Sequence, residues 1–301
     1  MKVSILLVAM LALVACETQN AKESAPGAFD GEAARGYVKT QLDFGARVPG
    51  TEAHRAAGDW IVTMMRERAD TVIEQRWTHV TTQGDSLPLR NIFARFRPEA
   101  TERVLYLTHW DSRPRSESAR DEAQRALPVP GANDGASGTA MFVALGDLWK
   151  KAPPGVGVDL LFVDGEDWGT FNPDVDVLIG ATYFADHPIV ADYTPIFGVL
   201  WDMIGDKDLR IPQEEHSMRG APEVVQRVWQ KAADLGYGQY FVQQSQGPVT
   251  DDHLPLLKKG LRVINVIDLS YPYHHTPEDT FDKVSAKSLK IVGDVADALV
   301  R

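Results

Sequence analysis

The sequence predicts a single α/β domain with a mostly parallel, twisted central sheet and helices on both faces. Segments typical of strands alternate with segments typical of helices along the 301-residue chain, which is the order expected of an α/β fold. Several strand segments, such as 104–108 and 158–163, are short continuous apolar runs. Runs of this kind are typical of parallel strands that are buried on both faces.

The elements before residue 130 are predicted to be two helices followed by three strands. Apolar residues recur at near-helical spacing in 30–44 and in 52–69. Period-two alternation and short apolar runs predict the strands, at 71–80, 89–96 and 104–108. The charged segment 113–127 then follows a strand end, where it either rims a site or is a solvated excursion.

From residue 131 onward, helices and strands continue to alternate. A loop of small residues, GANDGASG at 131–138, leads into an apolar helix at 138–151. Further strands are predicted at 158–163, 196–203 and 262–268. Further helices are predicted at 179–186, 221–235, 254–259 and 285–300. No internal repeat and no second domain are indicated.

The composition is that of an acidic globular protein, with 44% hydrophobic residues, 24% charged residues and a formal net charge of −11. An excess of negative charge argues against nucleic acid as a partner and provides no basic patch for a membrane surface. We therefore expect no nucleic-acid partner, and membrane contact only through the N-terminus.

The N-terminal segment 1–16 has the pattern of a bacterial lipoprotein signal peptide. A basic start precedes the apolar run 3–14, which is too short to span a bilayer. Cys16, the only cysteine, lies at the small-residue cleavage position; an ordinary secretory signal is the alternative. We expect a lipid anchor at Cys16 in the bacterial cell envelope (periplasm-facing or outer membrane), a flexible tether at 17–31 and the catalytic domain at 32–301.

Acidic and histidine side chains follow several predicted strands, at the point where each strand ends. These side chains are His109, Asp111, Glu166, Asp167, Asp202, Asp251, His274 and His275. Because the carboxyl ends of parallel strands meet at one edge of a sheet, we expect them to converge on one crevice. Asp134, in the small-residue loop before a helix, is placed to hold a cation there, and a plain N-cap is the alternative.

Carboxylate oxygens and imidazole nitrogens are ligands that divalent cations prefer. The candidate ligands are His109, Asp134, Asp167, Asp202 and His275. Because this set contains no cysteine, zinc is the expected metal, with manganese and cobalt as substitutes. Glu166 adjoins Asp167, but successive residues at a strand end point in different directions. Glu166 is therefore expected to be the general base.

Six short motifs, taken together, resemble those of the zinc aminopeptidase superfamily. They are THWDSR at 108–113, GANDGASG at 131–138, DGEDWG at 164–169, LWDMIG at 200–205, DDH at 251–253 and HT at 275–276. Within that superfamily, residues 35–300 are most similar to the animal-type (type II) glutaminyl cyclases and their bacterial relatives. The resemblance implies a zinc enzyme whose substrates are the N-termini of peptides or proteins, and we expect a monomer.

The resemblance also implies a role for each candidate residue. In a cyclase, one zinc ion would be held by Asp134, Asp167 and His275. Glu166 would shuttle the proton, and Asp202 and Asp251 would be the aspartates of the relay. In an aminopeptidase, two zinc ions would share Asp134, and the second would be completed by His109 and Asp202. Because both ligand sets are present, a glutaminyl-peptide cyclotransferase and a zinc aminopeptidase both stay open.

Three details favour the cyclase. Two acids precede the histidine in DDHLP at 251–255, as in the cyclases, and the segment 205–216 resembles that of the bacterial cyclases. A small apolar substrate pocket is expected from Trp110, Trp168 and Trp201, with His274 beside them.

Three positions depart from the cyclase pattern. His274 stands where the cyclases have tryptophan, Asp167 where many have glutamate, and Asn265 where the animal enzymes have histidine. The first departure replaces an aromatic residue of the pocket wall with an imidazole. His54 is expected to be a surface histidine without a role.

Overall fold

The computed structural model describes residues 28–301, so the predicted signal peptide and most of the predicted tether lie outside the described residues. The domain begins earlier than predicted, inside the segment assigned to the tether. Phe29 is buried in the core, and Asp30 caps the first helix by accepting a hydrogen bond from the Ala33 N–H (3.0 Å). Within the described range, no helix is long and apolar enough to cross a membrane.

Among residues 28–301, ten strands form one large sheet and two small ones. The strands of the large sheet are β1 (Thr71–Val80), β2 (Ser86–Phe96), β3 (Arg103–His109), β4 (Gly157–Val163), β7 (Phe197–Asp202) and β10 (Val263–Ile267). The short strands are β5 (Thr170–Phe171), β6 (Asp174–Val175), β8 (Ile211–Gln213) and β9 (Phe241–Ser245), which pair as β5–β6 and β8–β9.

The large sheet has the strand order β1-β2-β4-β3-β7-β10. Strands β3, β4, β7 and β10 run parallel to one another, and β2 pairs antiparallel with both β1 and β4. The predicted mostly parallel sheet is therefore confirmed, with an antiparallel hairpin at one side. The parallel strands place their carboxyl ends at one common edge.

Helices cover both faces of this sheet, as predicted. They are α1 (Gly31–Asp43), α2 (Glu52–Arg66), α3 (Ala136–Lys151), α4 (Ile179–Asp186), α5 (Glu215–Gly220), α6 (Pro222–Asp234), α7 (His253–Lys258) and α8 (Ala286–Ala298). The larger core receives side chains from α1, α2, α3, α6 and α8, and the smaller core on the other face receives them from α4 and α7. Strand β3 contributes Val104 and Tyr106 to the first core and Leu105 and Leu107 to the second, which explains its continuous apolar run.

Helix α3 begins directly after the small-residue loop, at Ala136. Its N-cap is Gly135, whose φ of +83° favours glycine, and no side chain caps the helix. A Cβ atom on Gly135 would lie 2.5 Å from the Asp111 carbonyl oxygen, so a larger residue would push two loops of the edge apart. Asp134 is therefore not an N-cap, and its carboxylate is left for the cavity described next.

Candidate metal centre and active site

The predicted side chains meet at the carboxyl edge of the large sheet, around a cavity of about 620 Å³. The residues of the predicted site that line it are Asp134, Glu166, Asp202, Asp251, His274 and His275. His109 and Asp167 are buried beside it, in contact with these lining residues. Strands β3 and β7 end at His109 and Asp202, and the loop after β4 carries Glu166 and Asp167, so the convergence follows from the parallel topology.

The three residues predicted to hold the first zinc ion lie together. Nε2 of His275 is 3.2 Å from Oδ1 of Asp167 and 3.7 Å from Oδ2 of Asp134. Oδ2 of Asp134 and Oδ2 of Asp167 are buried without a hydrogen-bond partner among residues 28–301. Buried oxygens without partners are costly, and a bound cation would satisfy them. The donor set of two carboxylates and one imidazole therefore fits zinc.

A second group shares Asp134. Nε2 of His109 is 3.0 Å from Oδ1 of Asp134 and 3.1 Å from Oδ1 of Asp202. The ligating atoms of these three residues lie within 4.8 Å of one another, close enough to hold a cation. Burial lowers the pKa of His109, but Asp202, Asp111 and Asp134 raise it well above its ordinary value. His109 can thus serve either as a protonated partner of these acids or, deprotonated, as a ligand of a second ion.

Glu166 is held beside the first group by its backbone. The N–H groups of Glu166 and Asp167 donate to the two carboxylate oxygens of Asp111, each at 3.2 Å. Burial raises the pKa of Glu166 well above its ordinary value, and the neighbouring Asp167 raises it further. A buried carboxyl with a raised pKa, fixed in place at the cavity wall, is suited to proton transfer.

Asp202 and Asp251 are two further buried carboxyls that line the cavity. Burial raises the pKa of Asp202, and burial together with Asp202 raises that of Asp251 well above its ordinary value. Oδ2 of Asp251 accepts a hydrogen bond from the Asn265 side chain (2.7 Å). The asparagine at the position where the animal cyclases have histidine therefore contacts Asp251 directly.

Arg113 and Glu117, for which the sequence predicts no role, link Asp167 to His275. Arg113 is buried, and its guanidinium donates to Oδ1 of Asp167 (2.9 Å) and to Oε1 of Glu117 (2.6 Å). The same Glu117 oxygen lies 3.2 Å from Nδ1 of His275. A carboxylate at Nδ1 leaves Nε2 free to ligate and orients the ring. The start of segment 113–127 rims the cavity through Arg113, Arg115 and Glu117, whereas residues 120–127 are mostly exposed to solvent.

The loop that carries Asp134 is held by two more residues that sequence reasoning missed. The carboxylate of Asp279 accepts hydrogen bonds from the N–H groups of Asn133 (2.9 Å) and Asp134 (3.1 Å). The fully buried Arg47 donates to the carbonyl groups of Trp110 (3.1 Å) and Gly131 (2.6 Å). Asp279 follows the HT motif by three residues, which is a weak signal, and nothing in the local sequence marks Arg47.

The tryptophan pocket predicted from the sequence is wrong, and only His274 of that set lines the cavity. Side chains of successive strand residues point to opposite faces, so the neighbours of His109 and Asp202 turn away from the site. Trp110 stacks on His54 with 4.3 Å between ring centroids, and Trp201 packs edge-on against Tyr106 in the core.

Trp168 packs against a small cluster formed by Leu87, Leu89 and Ile179. The apolar wall of the cavity is instead formed by Phe171, Met203, Val249, Ile267 and Leu269.

The expectation for His54 is also wrong. His54 is only 2% exposed, and its Nε2 lies 2.8 Å from Oδ1 of Asp164. His54 therefore contacts Asp164 and Trp110, each of which adjoins a strand end of the site.

The sequence profile of peptidase family M28 matches residues 91–300. Among solved structures, the glutaminyl cyclase of Porphyromonas gingivalis is 36% identical, with a TM-score of 0.87 over 90% of this chain and 97% of that one. A Zn-dependent exopeptidase from Parabacteroides distasonis is 34% identical, with a TM-score of 0.88 over 92% of this chain and 99% of that one.

Sequence relatives of both kinds are found as well. The glutaminyl-peptide cyclotransferase of Drosophila melanogaster is 25% identical over 77% of this chain and 70% of its own length. Aminopeptidase YwaD of Bacillus subtilis is 23% identical over 65% of this chain. The chain spans only 40% of the length of that aminopeptidase.

Glu117 provides a test of how the first group is held. We predict that Glu117→Ala weakens zinc binding by about 10–100-fold, because the His275 ring loses the carboxylate that orients it. Competition with a chromogenic chelator measures this affinity. Glu122→Ala is the matched control, since Glu122 is an exposed acid of the same loop whose ion-pair partner is Arg125 (3.6 Å). Equal zinc affinity in Glu117→Ala and the control would contradict the assigned role.

Proposed function

This chain belongs to peptidase family M28, and on that premise we propose that it is a zinc-dependent glutaminyl-peptide cyclotransferase. Its substrates would be peptides and proteins with N-terminal glutamine, which it would convert to pyroglutamate with release of ammonia. The observation that carries the proposal is that Glu166, Asp202 and Asp251, three buried carboxyls with raised pKa values, line one cavity. The likeness to a solved glutaminyl cyclase over nine-tenths of the chain supports it.

The proposed reaction moves one proton between two nitrogen atoms of the same substrate residue. The α-amine nitrogen forms a bond to the γ-carboxamide carbon, and the bond from that carbon to the amide nitrogen breaks. Glu166 takes the proton that the amine loses and delivers it to the departing ammonia. A zinc ion held by Asp134, Asp167 and His275 would polarise the γ-carbonyl group.

The burial of Glu166 and the carboxyls around it, Asp167 first, support this double use. An acid that must first accept and then donate a proton works best when its pKa is close to the working pH. Burial and neighbouring carboxyls move the pKa of Glu166 upward from the range of a free glutamate. The substrate supplies its own nucleophile, so the reaction requires no bound water, and the apolar wall of the cavity suits that requirement.

A zinc aminopeptidase is the second candidate, and one observation favours it. His109, Asp134 and Asp202 form a group able to hold a second cation, as the resemblance to two-zinc aminopeptidases implies. In that case the ions and Glu166 would activate a water molecule against the first peptide bond. The likeness to a Zn-dependent exopeptidase supports this alternative.

The two functions differ in product and in metal content. We expect the purified full-length protein to release ammonia from a Gln-initiated peptide while the peptide bonds stay intact. Mass spectrometry of the peptide and an ammonia assay measure this, and metal analysis of the same sample should give about one zinc per chain. Release of free amino acids, together with about two zinc ions per chain, would contradict the cyclase proposal and support the aminopeptidase.

Glu166 should be essential without being needed for the fold or the metal. Gln has nearly the same shape but cannot accept the proton, so we predict that Glu166→Gln lowers kcat by about 10²–10⁴-fold. Zinc content and thermal unfolding should match the wild type. Glu122→Gln, the same change at an exposed position of segment 113–127 outside the cavity lining, should keep full activity. A Glu166→Gln enzyme within tenfold of the wild type would remove Glu166 from the proposed role.

We also propose that Cys16 carries a lipid anchor that holds the enzyme in a bacterial cell envelope. Residue 16 lies outside the described residues, so this proposal rests on the signal-peptide pattern. Labelled fatty acid should be incorporated into the protein in a bacterial host and should be lost in Cys16→Ser. Because Cys16 is the only cysteine, unlabelled wild-type protein would point to an ordinary secretory signal.

A further inference from the structure

His274 and His275 are consecutive, yet their imidazole rings lie side by side. The ring centroids are 3.7 Å apart, with the planes inclined by 41°. Side chains of neighbouring residues in extended backbone point apart. Here His275 has a φ of +56°, in the left-handed region that residues other than glycine rarely adopt. This backbone conformation accompanies the approach of the two rings, and unfavourable conformations of this kind concentrate at functional sites.

Both rings face the same oxygen. Nε2 of His275 lies 3.7 Å and Nε2 of His274 lies 4.0 Å from Oδ2 of Asp134. That oxygen is buried and has no hydrogen-bond partner among the described residues. The ligating atoms of Asp134, His274 and His275 all lie within 4.8 Å of one another. The geometry places a second imidazole nitrogen beside the group that holds the cation.

His274 differs from His275 in its exposure. The His274 side chain is 33% exposed and lines the cavity, whereas the His275 side chain is 10% exposed and lies against Glu117. Glu117 therefore fixes the His275 ring, while the His274 ring borders the cavity through which a substrate would approach. A ring in this position can reach the cation or turn away from it.

We propose that His274 is an additional zinc ligand, which closes the site formed by Asp134, Asp167 and His275 until a substrate displaces it. The proposal rests on the zinc site of the proposed function and adds a fourth protein ligand from this chain. Four protein ligands make a closed zinc site, whereas a catalytic site keeps one position open. His274 would therefore protect the metal in the resting enzyme and yield its position to the substrate.

Metal binding by His274 can be measured without a substrate. In the purified full-length protein, His274→Phe should weaken zinc affinity by at least about tenfold in chelator competition, and the visible spectrum of the Co²⁺-loaded protein should change. His187→Phe is the control, because His187 is an exposed histidine whose ring contacts Tyr183. It should bind both metals as the wild type does.

A second variant covers the case in which His274→Phe does not fold. His274→Cys places a thiol at the same position, and a thiolate-to-cobalt charge-transfer band should appear only if that side chain reaches the ion. Wild-type protein, which contains Cys16, is the reference for this band. An unchanged zinc affinity in folded His274→Phe, or no such band in His274→Cys, would contradict the proposal. His274 would then only line the cavity and would not bind zinc. Neither measurement uses a peptide, so failure of the cyclase function would be seen separately.

Discussion

The constraint on which the rest of this structure depends is the crowding of carboxylates at one edge of a parallel sheet. Like charges that are buried together raise one another's pKa and push their loops apart. The loops are therefore held mainly through their backbone, and Arg113 adds a contact to the Asp167 side chain. Asp111 binds the amides of Glu166 and Asp167, Asp279 binds those of Asn133 and Asp134, and Arg47 joins two of the loops through their carbonyl groups. Because backbone groups make most of these contacts, carboxylate oxygens of the cavity stay available to bind a cation or transfer a proton.

Near the opposite end of strand β4, a buried acid has hydrogen-bond partners for its carboxylate. The Asp159 carboxylate is completely buried, and it accepts hydrogen bonds from Arg95 (3.0 Å), Arg103 (2.8 Å) and Tyr193 (2.8 Å). A buried charge is tolerated when its partners are complete in this way. Asp134 and Asp167 each keep one buried oxygen without a partner among the described residues. Strand β4 therefore carries a buried acid with hydrogen-bond partners near its start. Its end leads to the site, where two buried carboxylate oxygens have no partner among the described residues.

Much of the fold and the central part of the site follow from local patterns. Apolar runs predict the buried parallel strands, and the topology then brings His109, Glu166 and Asp202 to a common edge because each lies at or just beyond a strand end. Trp110 and Trp201 fail for the same geometric reason, since a residue beside a strand-end ligand points to the other face. Arg47, Asp279 and His54 contact the site loops over long separations along the chain, and a single sequence carries no pattern for such contacts. Glu117 lies in a loop whose charges are also those of an ordinary solvated segment.

The unpartnered oxygens of Asp134 and Asp167 have a consequence for the chain as a whole. A cation that binds these atoms binds the folded protein, because the unfolded chain does not bring together residues separated in sequence. Its binding free energy then adds to that of folding, by about 2.7 kcal/mol when the free ion is present at a hundred times its dissociation constant. The resistance of this protein to heat and to proteolysis would accordingly follow the supply of free zinc around it. Metal scarcity would first appear as a shortage of intact protein, before any slowing of a turnover step.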